Sequence, residues 1–131
     1  MTGQRGGNMK LDKELVRQIL LQVEASPDPM GWIDLSIPEH TELEVAYHVR
    51  ILDEAGFLEA QNLTTTDGYD WRPKRLTYEG HEFLDTVRDN EIWRRTKETA
   101  KSAGVASIKA LFEIGKSIAK QKLIEHGVHL G

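Results

Sequence analysis

The chain has 131 residues and a net charge of -4, enough for one domain with a helical extension and too little for two full domains. Its 39% hydrophobic and 29% charged residues are ordinary for a globular protein, and no apolar run reaches the roughly 18 residues of a membrane span. The chain has no cysteine, which removes disulfides, thiolate metal sites and cysteine nucleophiles; with a polar, leaderless start this points to a cytoplasmic protein.

Residues 1–9 form a Gly-rich lead-in without a large aliphatic or aromatic anchor before Met9 and are expected to be disordered, with Met9 an alternative start. Leu11, Leu15, Val16, Ile19, Leu20 and Val23 then recur at helical spacing, and Ser26-Pro27-Asp28-Pro29 ends that helix. Trp32 to Leu35 reads as a short extended stretch closed by Pro38. Ser36 to His40 is too short for a normal helix. Thr41 with Glu44 makes a capping box for a second helix, which runs to about Ala55 and stops at Gly56.

Phe57 to Leu63 reads as a strand, Thr64 to Tyr69 as a turn around Asp67-Gly68, and Trp71 to Tyr78 as the returning strand. Pro73 has no N–H to give a ladder and marks that strand as an edge. A long helix from Glu79 to about Ala103 follows, with Phe83, Leu84, Val87, Ile92 and Trp93 inward. After Gly104 a last helix to Glu125 carries an apolar stripe that includes Ile108, Leu111, Phe112, Gly115, Ile118 and Ala119.

The charge divides sharply. Residues 1–91 hold 9 Lys/Arg against 18 Asp/Glu, and residues 92–131 hold 8 against 3. The division supports a domain over residues 10–91 and a basic helical extension over 92–131. The fold expected is α+β and mostly helical: a winged helix-turn-helix-like domain with a two-helix C-terminal extension.

The run Val45, Tyr47, His48, Val49, Leu52, Gly56, Phe57, Leu58 resembles the recognition-helix stretch of winged helix-turn-helix regulators. The run Arg75-Leu76-Thr77 with Gly80 resembles the way their wing returns to a helix. Three longer runs widen the likeness: Ser26 to Leu35, Thr66 to Thr77 and Gly80 to Asp85. Together they look like a bacterial and prophage family catalogued as domain of unknown function two-five-one-three, a resemblance that covers Met9 to about Lys122. It carries no activity, cofactor or catalytic residue to transfer.

The likeness to regulators implies DNA binding, with the second helix in the major groove and the wing on the backbone. If Val45, Val49 and Leu52 face the core, the outward arc is Leu43, Glu44, Tyr47, Arg50, Ile51 and Glu54. Tyr47 and Arg50 are then the groove candidates, and Arg72, Lys74 and Arg75 the backbone candidates, with Arg72 and Lys74 sharing a strand face. A single cation beside Glu44 and Glu54 suits phosphate poorly. The alternative is a protein-interaction adaptor, host- or defence-directed in a phage setting, that uses the Leu43–Tyr47–Ile51 ridge.

Catalysis is not expected. His40, His48, His81, His126 and His129 lack partners in sequence: His126 and His129 straddle Gly127, His81 and Glu82 point apart on a helix, and His48 reads as a satisfied core residue. No phosphate loop or nucleophile motif is present, and no metal or cofactor is expected. The stripe on the last helix, with Ile108, Phe112, Gly115 and Ala119, is expected to pair with a second copy in a homodimer.

Overall fold

The computed structural model describes residues 9–127. It is α+β and mostly helical: α1 (Lys13–Ala25), α2 (Glu42–Glu54), β1 (Leu58–Asn62), β2 (Trp71–Leu76), α3 (Tyr78–Val87), α4 (Asn90–Ala103) and α5 (Ile108–Glu125). The chain divides into two compact units, with the boundary between His81 and Glu82 inside α3 rather than at the charge division.

In the first unit, the Asp12 carboxylate caps α1 by accepting from the Leu15 N–H at 3.1 Å. The stripe Leu15, Val16, Ile19, Leu20 and Val23 is buried as its spacing predicts. α1 packs on α2 and on β2, and α2 packs on both strands. Burying each such aliphatic side chain is worth roughly 1.5–3 kcal/mol, so α1 is held mainly by its apolar face. α2 begins with the expected capping box: the Glu44 N–H donates to Thr41 Oγ1 at 3.0 Å and the Thr41 N–H donates to Glu44 Oε1 at 2.9 Å. It ends at Gly56, which adopts a φ of 87° that a side chain resists.

Between α1 and α2 the segment 33–40 forms a loop. Trp32 to Leu35 does not become a third strand; the Ile33 N–H donates to the Pro73 carbonyl at 2.8 Å and ties the segment to β2. Glu39 turns the chain back with a φ of 69°.

The two strands pair antiparallel around a tight turn closed by Thr65 and Gly68. Glu59 faces Arg75 and Ala60 faces Pro73, so Lys74 is an extra residue in a β-bulge. The bulge sits where Pro73 cannot donate, and it overturns simple alternation: the buried positions of β2 are Pro73 and Leu76, three apart instead of two. Arg72 and Lys74 therefore do not share a face by alternation.

The motif Arg75-Leu76-Thr77-x-x-Gly80 has a structural cause. Thr77 Oγ1 donates to the Gly56 carbonyl at 2.6 Å and accepts from the Gly80 N–H at 3.1 Å, which caps the start of α3. A Cβ on Gly80 would lie 1.8 Å from the Phe57 carbonyl oxygen, so only glycine allows this approach.

The second unit holds the rest of α3 with α4 and α5. The single helix expected over Glu79 to Ala103 is in fact two. It breaks at Arg88-Asp89, where the Asp89 carboxylate accepts from the Glu91 and Ile92 N–H groups at 2.8 and 3.0 Å and starts α4. α4 packs along α5, and the Phe83 and Phe112 rings lie 5.4 Å apart. Residues 1–8 and 128–131, and with them most of the expected lead-in and the His129 half of the histidine pair, lie outside the described residues.

Candidate functional site

Three pieces of the first unit converge on one groove of about 530 Å³. The loop before α2 contributes Ile33 to Ile37 and His40, the start of α2 contributes Glu42, Val45 and Ala46, and the hairpin contributes Thr65 and Asp67 to Pro73. The volume is in the range of pockets that hold ligands.

Its centre of charge is Arg72. The guanidinium bonds Asp34 at 2.6 Å and Asp70 at 3.2 Å. The Asp70 bond foremost, then the fields of Asp70, Asp34 and Glu42, hold Arg72 above the usual arginine pKa. One cation thus answers three carboxylates, and Asp67 adds a fourth to the lining. Arg50 stands above Trp71, its guanidinium 5.3 Å from the ring centre, and it bonds Glu54 at 3.2 Å and the Tyr69 hydroxyl at 3.5 Å. The Tyr69 bond is the chief reason its pKa is raised, with Glu54 second.

Of the five residues expected to meet DNA, the three arginines are paired to carboxylates. Arg75 forms a two-point pair with its cross-strand neighbour Glu59, at 3.2 and 2.8 Å. Arg50 and Arg72 are paired as above. Lys74, half-buried at the bulge, has no ion pair among the described residues. Tyr47 is half-buried on α2.

The residues of the ridge expected to meet a protein differ in exposure. Leu43 is 49% exposed, and Tyr47 and Ile51 are half-buried. Glu44 is not on the outward arc: it is buried because the capping box folds its carboxylate back onto Thr41. Val45 is not in the core but lines the groove, and the inward face instead carries Ala46, His48, Val49 and Leu52.

His48 is the satisfied core histidine that its position suggests. It is 2% exposed, its Nε2 accepts from the Asp12 N–H at 2.9 Å, and its Nδ1 lies 2.8 Å from the Glu44 carbonyl. Only the neutral Nδ1–H tautomer meets both partners. His40 lies between Asp12 and Glu44 at 4.0 and 3.7 Å. Its Nδ1 and the Trp71 Nε1 are buried with no hydrogen-bond partner among the described residues.

The candidates on α5 are largely buried within their own unit. Ile108 and Phe112 are 4% and 5% exposed, Gly115 is buried and Ala119 is half-buried. The stripe is occupied within its own unit: a Cβ on Gly115 would come within 3.0 Å of Thr86, 3.4 Å of Val87 and 3.5 Å of Thr96. The large apolar side chains left exposed on α5 are Leu123 and Ile124.

Asp34, Glu42, Tyr69, Asp70 and Trp71 were not among the residues singled out for function. All but Glu42 and Asp70 are named positions of the runs Gly31-Trp32-x-Asp34-Leu35 and Asp67-Gly68-Tyr69-x-Trp71-x-Pro73. Two runs far apart in sequence, each dense in Gly, Pro, Trp and Asp, were the available signal.

Comparison with known proteins places the chain. The family described as "Hypothetical protein (DUF2513)" matches residues 10–106. An uncharacterized protein of Haemophilus influenzae (strain ATCC 51907 / DSM 11121 / KW20 / Rd) is 30% identical over 120 residues, covering 88% of this chain and 99% of its own. No solved structure matches. No helix among the described residues is long and apolar enough to cross a membrane.

Proposed function

The chain belongs to the DUF2513 family of hypothetical proteins, and we propose that it is a non-enzymatic, winged-helix-like module that binds a protein partner through the groove and the adjoining Leu43–Tyr47–Ile51 ridge. The observation that carries this reading is the state of its arginines. Arg50, Arg72 and Arg75 are each already paired to a carboxylate within the first unit. Phosphate would have to displace those carboxylates and then sit beside them, which reverses the electrostatic gain that normally drives DNA binding. A groove that mixes aliphatic side chains with carboxylates instead suits a protein partner. The proposal keeps the cytoplasmic location and the bacterial or prophage setting expected from the sequence.

A photocrosslinking residue at Leu43, with a control at exposed Gln18 on α1, tests this in extracts of the source cells. The expected result is a discrete, protease-sensitive adduct at position 43 that nuclease leaves intact and that position 18 does not form. A nuclease-sensitive adduct at position 43 overturns the proposal and restores the DNA regulator.

A further inference from the structure

Resting on the protein-binding reading above, we infer that the groove takes a short basic segment of the partner, lysine or arginine side chains flanked by apolar residues. The inference follows from a charge imbalance that the fold itself creates. Asp34, Glu42, Asp67 and Asp70 line the groove against the single guanidinium of Arg72. Asp34 engages Arg72 through Oδ1 while its side chain is 83% exposed. Glu42 and Asp67 are exposed, and their carboxylates make no hydrogen bond among the described residues. The groove is therefore short of positive charge where carboxylates are most accessible.

Ile33, Leu35, Ile37, Val45 and Pro73 supply aliphatic surface, which suits the stems and neighbours of long cationic side chains. The buried Trp71 indole N–H has no acceptor among the described residues. Charge complementarity selects a basic protein segment over an acidic or neutral one and raises its rate of encounter.

The test uses the full chain and a labelled heptapeptide with two lysines between leucines, against matched peptides bearing glutamines or glutamates. Fluorescence anisotropy at low salt is expected to show the lysine peptide bound at least about tenfold more tightly than the glutamine one, weakening as salt rises. The double variant Asp34→Asn/Glu42→Gln removes exposed charge and is expected to weaken the lysine peptide about tenfold with an unchanged thermal melt. Arg72→Gln removes the competing cation and is expected to tighten it.

Equal binding of the three peptides, or an unchanged affinity in the double variant, overturns the inference. A protein adduct at position 43 together with equal peptide binding leaves the protein-binding reading standing and removes only the basic segment. A nuclease-sensitive adduct removes both.

Discussion

The two units use their conspicuous residues in opposite ways. In the first, the polar residues gather around a groove, and the cations that resemble a DNA-reading set are tied to carboxylates. In the second, the apolar stripe of α5 is consumed by packing in its own unit, and the charges pair along the helix surfaces, as Arg94 with Glu98 and Lys116 with Glu113. The contrast teaches that a periodic apolar face states that it will be buried and not by what. A basic cluster likewise states that it will be paired and not with whom.

The sharpest way to break this contrast is at Phe112. Phe112→Ala removes a buried ring stacked near Phe83, and is expected to cost about 4 kcal/mol in urea unfolding while sedimentation is unaltered. Loss of an oligomer with unchanged folding stability would return α5 to an intermolecular role. In the first unit, Gly80→Ala sets a Cβ against the Phe57 carbonyl and is expected to cost about 3 kcal/mol by the same measurement. A neutral Gly80→Ala would mean that the start of α3 stands further from β1.

Thr41→Ala breaks the capping box that turns Glu44 inward, an expected loss of about 1 kcal/mol. Tyr47→Ala thins the ridge beside position 43 and is expected to leave the chain folded while abolishing the partner adduct formed at position 43. An unaltered adduct would move the interface off the ridge.

The smallest effect expected is the pH response of the second unit. Asp89 bonds Lys122 at 2.9 Å, and Lys122 also meets Glu91 at 3.1 Å. The Lys122 bond first, and the Ile92 and Glu91 N–H groups with it, hold Asp89 below its ordinary value of 3.8. The Asp89 and Glu91 bonds raise Lys122 above 10.5. A depressed carboxylate contributes stability above its unfolded value and loses it as pH falls through the folded one; a raised amine contributes below its unfolded value and loses it as pH rises through the folded one. The pair is thus intact from about pH 4 to 10, and Asp89→Asn is expected to flatten the acid limb of a stability–pH curve. An unchanged acid limb would mean that the pair is solvated.

Much of the first unit was legible because its signals are local. The α1 stripe, the Thr41–Glu44 box and the Gly56 stop each depend on residues within a turn or two of one another. The break before α4 was hidden because Val87, Ile92 and Trp93 keep a spacing that one helix could also satisfy. Asp89 was the overlooked mark, a capping residue in mid-pattern. The bulge at Lys74 was hidden because alternation counts along one strand, whereas a bulge exists only in the pairing of two.

The same division runs through the candidate site. By itself the sequence determined the α+β class and the order of α1, α2 and the hairpin, since local periodicity, capping and turn chemistry specify these, and its longer motif runs carried the likeness to the family. The tertiary structure alone decided that Asp34, from the loop before α2, and Asp70, from the hairpin, meet on Arg72. It also decided that Gly115 faces Thr86 and Thr96. Those meetings join residues distant along the chain, and what sets them is which apolar faces bury one another, a choice that no local pattern encodes.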